Sequence, residues 1–344
     1  MIQIQHHVAL KEFNTFGISA FAKAYTPINI PAQFKEAASY YKGEQVFLLG
    51  GGSNMLLIDD ISRPVLHVLT KGIETQAAQN GEIHITAQAG ENWHEFVLYC
   101  IKNNYAGIEN LSLIPGNIGT SPIQNIGAYG VELKDVFNSC TVIDLQTLEE
   151  KSLSLEECNF GYRDSVFKKE AAGKYIITSV TFKLQDLSIN PDYKLKTSYG
   201  AIQEELDRLG GEPDIALVSQ AVINIRTSKL PDPKIIGNSG SFFKNPIIKR
   251  DRYDELVRLH PHMPSYNVDD DHVKVPAGWL IDQCGFKGYR KGDAGVHDKQ
   301  ALVLVNHGKA TGKEIISLSR EIQEKVNSRF GISIDTEVNL IENM

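Results

Sequence analysis

Val46-Phe47-Leu48-Leu49-Gly50-Gly51-Gly52-Ser53-Asn54-Met55-Leu56-Leu57-Ile58 is the stretch on which the reading of the fold turns. Four apolar residues read as a buried strand, three glycines interrupt it, and a second apolar run follows. Successive glycines leave backbone N–H groups bare of side chains, and such groups can cradle a phosphate. A dinucleotide loop of the Rossmann kind would open a helix at this point. Here the chain goes back to strand, so that fingerprint is not present. A glycine-rich hairpin without any ligand fits the same residues.

Working outward, strand and helix patterns alternate without strict βαβ regularity. Ala22 to Tyr25 alternates weakly as a strand and Pro31 to Tyr41 reads as a helix. Ile83 to Ala87 alternates, and Asn92 is placed to cap a helix from Trp93 to Asn104 with Trp93, Phe96, Val97, Cys100 and Ile101 on one face. Thr141 to Leu145 and Ile176 to Leu184 are strands. Helices follow at Ala201–Leu209, after Asp214 as a cap, at Arg252–His260 and at Ala277–Cys284. Asn267 to His272 reads as an acidic, mobile loop, and Ala301–Asn306 as a buried strand. Thr311 to Phe330 is amphipathic, with Gly331 to close it. A last strand alternates from Ile332 to Leu340 and sets Glu337 on the side away from the apolar residues. No repeat appears, so the pattern predicts an α+β protein with mixed sheets.

A chain of 344 residues exceeds what one core usually serves, so two or three domains are expected. Net charge of −7, with no basic block, argues against nucleic acid as a partner. Cys100, Cys140, Cys158 and Cys284 lack metal-ligand spacing, so no metal site is expected and the thiols read as buried apolar groups in a reducing compartment. The N-terminus does not resemble a signal peptide, and no run approaches the roughly eighteen apolar residues of a membrane span. The expectation is a cytoplasmic protein without a membrane partner.

Three further loops carry chemistry-bearing residues. Gly240-Ser241-Phe242-Phe243-Lys244-Asn245-Pro246 follows Lys229-Leu230-Pro231-Asp232-Pro233 and presents one hydroxyl, preceded by a glycine and followed by two anchoring aromatics. It also suits a tight turn over a buried Phe pair. Leu113 to Gly130 holds four glycines and two prolines without low complexity, and long specific loops in compact proteins are usually functional. Phe160 to Lys168 places Arg163 beside Tyr162, a pair that a solvated surface would also accommodate. Ser241, Arg163 and Glu337 without a histidine base do not make a hydrolase triad.

With these residues in view the chain resembles the MurB family, the UDP-N-acetylenolpyruvoylglucosamine reductases. The resemblance spans nearly the whole chain. It rests on Asn14-Thr15-Phe16-Gly17, the Gly50–Asn54 loop, the Pro115–Gly130 loop, Tyr162-Arg163-Asp164-Ser165, Lys229 to Pro233, Gly240 to Pro246, Ala277 to Ile281 and Glu337, in the family's order. The stretch around Tyr199 resembles the subtype in which a tyrosine-bearing loop covers the substrate.

The resemblance implies an FAD-binding region of the vanillyl-alcohol-oxidase type made of two subdomains, 1–75 and 76–230, and a C-terminal α+β substrate domain, 231–330. The last strand, 331–344, is free to return to the first subdomain. Gly50, Gly51, Gly52, Ser53 and Asn54 would hold the FAD pyrophosphate. Pro115, Gly116, Gly119, Thr120, Gln124, Asn125, Gly127 and Ala128 would pass alongside the cofactor. No histidine lies in the Gly50–Asn54 loop, so non-covalent FAD is expected. The implied reaction is reduction of an enolpyruvyl ether by NADPH through FAD, in peptidoglycan precursor synthesis. Hydride arriving at C3 builds charge on C2 and its carboxylate, so the site needs a cation for the carboxylate and an acid for C2. The resemblance assigns Arg163 as the cation, Ser241 as the proton donor and Glu337 as a second polar stabiliser, with Lys229 able to ease loss of the Ser241 proton. Tyr199, Lys229, Asn245, Tyr266, Lys287 and Gln300 fall where family members contact the UDP-sugar. A monomer is expected. A flavin oxidase acting on a small alcohol and a flavin-fold binding module are the competing readings.

Overall fold

The computed structural model describes residues 1–343. The chain forms two compact units: residues 1–8, 22–51 and 61–228, and residues 9–21, 52–60 and 229–344.

The first unit holds two sheets and a helical pair. One sheet runs in the order Gln5–Ala9, Phe21–Ile28, Val65–Val68, Phe47–Leu49. Val65–Val68 is buried throughout and pairs in parallel with both Phe21–Ile28 and Phe47–Leu49, which explains its unbroken Val-Leu-His-Val run. The helix Ala32–Tyr40 links the outer two and packs Phe34, Ala37 and Ala38 into the core with Ile28, Leu66 and Val68. The second sheet is antiparallel, in the order Glu150–Ser154, Phe137–Asp144, Tyr175–Asp186, Glu82–Gln88, Ile73–Ala77. Its core is organised around the helix Trp93–Lys102, whose Asn92 side chain accepts from the Glu95 N–H, as the sequence predicts. Trp93 and Phe96 stack with Phe182 at centroid distances of 5.8 and 4.8 Å. The helices Ile202–Leu209 and Ile215–Lys229 bury Ile202, Leu206, Val218, Ala221, Val222 and Ile225 against one another.

The second unit carries a four-stranded antiparallel sheet, Gly237–Asn238, Leu304–Asn306, Ala294–Val296, Arg290–Lys291. The helix Gly312–Phe330 buries Ile315, Leu318, Ile322, Val326 and Phe330. Gly331 closes it at φ 63°, as the sequence predicts, and a Thr311/Glu314 capping box opens it. A three-stranded sheet of Ile247–Lys249, His272–Lys274 and Tyr266–Asn267 completes the unit with the helices Arg250–Leu259 and Ala277–Gln283.

Three expectations need correction. The glycine run is not a hairpin turn: Phe47–Leu49 pairs with Val65–Val68, and Met55–Leu57 pairs in parallel with Asn339–Ile341. The last strand is shorter than the alternation suggested. Ile332, Ile334 and Val338 are buried in alternation, but the ladder spans only Asn339–Ile341, with a single earlier bridge from Thr336 to Phe243. The acidic segment after Asn267 is a tethered hairpin tip, where Arg250 donates to the carbonyls of Asp269 and Asp270 at 3.0 and 2.8 Å.

Cys100, Cys140 and Cys158 are buried and none of the four thiols is in a disulfide. Among the described residues no helix is long and apolar enough to cross a membrane and no His/Cys/Asp/Glu group could hold a metal.

Candidate functional site

In the first unit, Gly50 and Gly51 end the strand Phe47–Leu49 and lie against the Pro115–Gly130 loop. A Cβ at Gly50 would stand 2.5 Å from Thr120 Cγ2, and one at Gly51 would stand 2.9 Å from Gly116 Cα. Gly119 approaches just as closely: a Cβ there would meet Ala89 Cβ at 2.5 Å, while the Gly119 N–H donates to the Ala89 carbonyl at 2.9 Å. Thr120 donates its hydroxyl to Asn117 O, and Gly116 O accepts from Trp93 N at the start of its helix. These contacts explain why small residues are needed here, and they leave a surface of bare backbone. Beside it opens a cavity of about 220 Å³ whose walls are mainly apolar, among them Leu48, Val68, Ala89, Ile123, Phe167 and Ile176, with Gly50 and Gly119 at its edge. An apolar slot with room for an aromatic ring system, bordered by bare glycine backbone, suits the two chemistries of a flavin dinucleotide.

His67, on the strand Val65–Val68, supports this region from within the core. Its Nδ1 lies 2.6 Å from the Tyr25 hydroxyl. Burial pulls the imidazole down to about 4, opposed in part by a hydrogen bond to the Gly50 backbone. Sequence reading passed over His67 because a buried strand histidine has no motif.

The second half of the Pro115–Gly130 loop is held by Asn125. This residue is fully buried, donates to Gly161 O at 2.9 Å and Glu132 Oε2 at 3.0 Å, and accepts from Lys134 N at 3.0 Å. Its amide is committed to the loop, which makes Asn125 a framework residue. Gln124 is half-buried, and Pro115 is exposed. Gly127 and Ala128 pair with Glu132 and Val131 across a two-residue turn, Tyr129-Gly130, with φ of 50° and 78°. Positive φ at both positions marks a type I′ hairpin. A tyrosine held there stores roughly 1–3 kcal/mol of backbone strain, a feature that clusters at functional sites.

Arg163 has the same mark, with φ 54°. It donates from Nη2 to the Gly127 carbonyl at 2.7 Å, and its guanidinium sits 5.6 Å from the Tyr162 ring centre. One end of the fork is thus anchored to the loop beside the cavity. Tyr199 is half exposed and meets Tyr129 edge-on, centroids 6.2 Å apart. The segment before it is tied down at Asn110, whose Nδ2 donates to both Tyr129 O and Lys196 O. Arg226, near the end of the helix Ile215–Lys229, is half-buried, and its Nε is sealed from solvent without a partner.

In the second unit, Gly52 continues the glycine run at φ 61°, and a Cβ there would fall 2.0 Å from Phe13 O. Only glycine fits. The Gly52 carbonyl accepts from Thr15 N at 3.0 Å, and buried Asn14 knits its own turn to Leu10 O and Ile18 O. The Asn14-Thr15-Phe16-Gly17 motif therefore serves the glycine loop. Ser53 and Asn54 are half-buried, and the Asn54 carbonyl accepts from Asn339 N and Nδ2.

The Ser241 loop is built on the same framework. Thr15 O accepts from Asn238 N, Asn238 Oδ1 from Gly240 N, and Ser239 donates to Met55 O at 3.1 Å. Phe242 and Phe243 are fully buried and stack at 5.2 Å, as the sequence predicts, with Phe16 edge-on to Phe242. Between these anchors Ser241 is half-buried. Glu337 N donates to Phe242 O at 2.8 Å, so the two backbones run side by side and bring Glu337 next to the Ser241 segment. Glu337 is half-buried, and its alternation with Ile334 and Val338 is as read.

The remaining residues are less gathered. Asn245 caps the helix Ala277–Gln283, accepting from Ala277 N at 2.9 Å. Gln300 accepts from Leu302 N at 3.4 Å. Lys287 pairs with Asp282 at 3.5 Å on the surface, while Tyr266 and Lys229 are exposed. Lys229 is not hydrogen-bonded to Ser241.

Two family models match the chain: an FAD binding domain over residues 30–147 and the UDP-N-acetylenolpyruvoylglucosamine reductase C-terminal domain over residues 232–341. The UDP-N-acetylenolpyruvoylglucosamine reductase of Flavobacterium johnsoniae is 52% identical over 99% of this chain and 100% of its own length. That of Pseudomonas savastanoi pv. phaseolicola is 47% identical over 98% and 99%. The crystal structure of the Thermus caldophilus MurB enzyme superposes with a TM-score of 0.69 at 22% identity, covering 99% of this chain and 100% of that one, and shows the shared fold. Identity at this level along the entire length, over a glycine cradle, an apolar slot and an anchored arginine, places the chain in the UDP-N-acetylenolpyruvoylglucosamine reductase family, the MurB enzymes.

Proposed function

We propose that this chain reduces UDP-N-acetylenolpyruvoylglucosamine to UDP-N-acetylmuramate with NADPH, in peptidoglycan precursor synthesis, and that Arg163, Ser241 and Glu337 carry the chemistry. The observation behind the activity is the 52% identity to a reductase over 99% of the chain. Membership makes the protein an FAD-dependent oxidoreductase. FAD, when bound, supplies the two-electron relay between NADPH and the substrate carbon.

The protein's own residues do the rest. Gly50 to Asn54 offer backbone donors to the pyrophosphate, and the apolar cavity takes a ring of the cofactor. Among the loop residues, Pro115, Gly116, Gly119, Thr120, Gln124, Gly127 and Ala128 line its path, while Asn125 holds the path in shape. Arg163 grips the substrate carboxylate with the part of its fork that faces away from Gly127, and the grip strengthens as charge moves onto that carboxylate. Ser241 donates a proton to C2, and Glu337 stabilises the enol-like charge distribution from the adjoining segment. Lys229 favours release of the Ser241 proton through its field, as a mobile surface cation. Tyr199, Lys229, Asn245, Tyr266, Lys287 and Gln300 bind the UDP-sugar; Asn245 does so with its amide nitrogen, since its oxygen is taken by Ala277. We further propose FAD-binding subdomains at 1–75 and 76–230, a substrate domain at 231–330, a cytoplasmic location and a monomer.

An anaerobic titration tests the activity. Purified yellow protein should bleach with NADPH and recolour on adding the enolpyruvyl sugar. Recolouring by oxygen after a small alcohol has bleached it would indicate an oxidase instead, and no response to NADPH would indicate a binding module.

A further inference from the structure

Residues 193–198 form no helix or strand, yet their side chains alternate: Tyr193, Leu195 and Thr197 are half-buried, while Lys194, Lys196 and Ser198 are exposed. An extended strap with one inward edge is laid over the first unit, and Tyr199 stands at its end. Beneath it lies a polar floor, Glu109-Asn110-Leu111-Ser112, in which all four residues are buried. Each Glu109 oxygen has a donor: Oε2 accepts from Gly107 N at 2.7 Å, and Oε1 accepts from the Tyr193 hydroxyl at 3.1 Å. Taking a carboxyl out of water is costly unless its oxygens are satisfied, and the strap supplies one of the two donors. Burial, and then the carboxylate itself, push the Tyr193 phenol up, which keeps its proton in place to donate.

The floor is rigid. Ser112 donates to Glu109 O at 2.7 Å and lies 2.7 Å from the Ser219 hydroxyl on the helix Ile215–Lys229, and Trp93 donates from Nε1 to Leu111 O at 2.9 Å. Asn110 spreads the hold over two elements. Its Nδ2 donates to Lys196 O in the strap at 2.8 Å and to Tyr129 O at 3.0 Å. Leu195 and Tyr129 both pack against the helical pair, and Lys196 reaches Asp135 at 3.5 Å on the surface. Tyr199 then comes to rest on the Tyr129-Gly130 turn: its ring is edge-on to Tyr129, and a Cβ on Gly130 would stand 3.4 Å from Tyr199 Cβ. The same hairpin anchors Arg163 through Gly127 O. One buried floor thus sets Tyr199 in register with the arginine of the site.

We propose that Glu109, Tyr193 and Asn110 are positioning residues for the reduction, a latch that holds the strap and seats Tyr199 for the UDP-sugar. None of the three needs to touch the substrate; they act through the tyrosine at the end of the strap. The inference rests on the reductase reading and on Tyr199 as a contact of the UDP-sugar.

The test is kinetics on the FAD-loaded full chain, with reoxidation of the reduced flavin by the enolpyruvyl sugar followed in stopped flow. Wild-type flavin that the sugar does not reoxidise would overturn the reductase reading itself. Tyr193→Phe removes one hydroxyl from the latch. It should raise KM for the sugar about tenfold, the scale of releasing one hydrogen bond to a carboxylate, and leave kcat and flavin reduction by NADPH unchanged. Tyr199→Ala should raise the same KM. Adding Tyr193→Phe to it should raise KM no further, because the latch acts through that ring. Increases that multiply in the double variant would overturn the positioning role. A KM unmoved by either single change, or a loss confined to kcat or to the NADPH step, would overturn the latch. Should Tyr193→Phe fail to retain its FAD, Glu109→Gln carries the same comparison. Its amide keeps an oxygen for one of the two donors, so a smaller rise in KM is expected, again absent when Tyr199 is already alanine.

Discussion

Tyr25 and His67 share a 2.6 Å hydrogen bond beneath the glycine cradle. The neutral imidazole with its proton on Nε2 satisfies both neighbours: Nδ1 accepts from the phenol, and the other nitrogen donates to Gly50. Burial lowers this histidine to about 4. An unfolded chain would bind the proton near 6.5, so the folded state binds fewer protons between these values. Stability should therefore be fully present above pH 6.5 and fall as pH drops toward 4, by about 3 kcal/mol at most. His67→Gln should be less stable at neutral pH and show a flatter thermal midpoint between pH 7 and 4. A variant as pH-sensitive as the wild type would assign the slope to other groups.

Gly119 tests the cradle. Alanine there brings a Cβ to 2.5 Å from Ala89 Cβ, and the loop must move to relieve it. Overpacking of this kind costs about 1–3 kcal/mol, and here it distorts the surface proposed for the cofactor. Gly119→Ala should fold but bind FAD roughly tenfold more weakly. Equilibrium dialysis of the apoprotein measures this, and undiminished affinity would place the cofactor elsewhere. In the wild type, acid precipitation should release the flavin into solution, since the Gly50–Asn54 loop has no histidine to attach it.

Arg163→Lys keeps the charge and loses both the planar fork and its anchor to Gly127 O. Turnover should fall and the substrate KM rise together, with flavin reduction by NADPH unaffected. Stopped-flow traces separate the half-reactions, and impairment confined to the NADPH step would show that the arginine does not serve the carboxylate.

Ser241 has one assigned task, protonation of C2. Ser241→Ala should leave reduction by NADPH near the wild-type rate and slow reoxidation by the enolpyruvyl sugar by about 10²–10⁴-fold. Ser241→Cys should restore part of this, because a thiol is the stronger acid. Wild-type reoxidation in Ser241→Ala would reduce the loop to a turn over Phe242 and Phe243.

Much of this arrangement was legible in the sequence where the physics is local. The Asn92 cap, the Gly331 stop and the buried Phe242-Phe243 pair all act within a few residues of themselves. The parallel partners of Val65–Val68 and Met55–Leu57 were not legible, because the residues they meet lie far along the chain and periodicity carries no address. Glu337 was placed on the right side of its alternation, yet most of the expected strand is irregular, because Thr336 bridges Phe243 alone. His67 escaped notice because it is defined by enclosure, which only the folded chain reveals. A clue did exist at Tyr129-Gly130, since two residues closing a short hairpin demand left-handed backbone.

The parallel pairing of Met55–Leu57 with Asn339–Ile341 has a consequence for how the molecule is made. Asn54 and Asn339 are bonded across 285 positions of sequence. During synthesis the earlier strand emerges long before its mate exists, and its three buried residues must wait with one edge exposed. Loop-closure entropy and sequence separation both slow such a pairing. The waiting edge is the kind of surface that strays into association with other chains. On the ribosome, the second unit is therefore expected to mature last and to be the part of the nascent protein most in need of a chaperone.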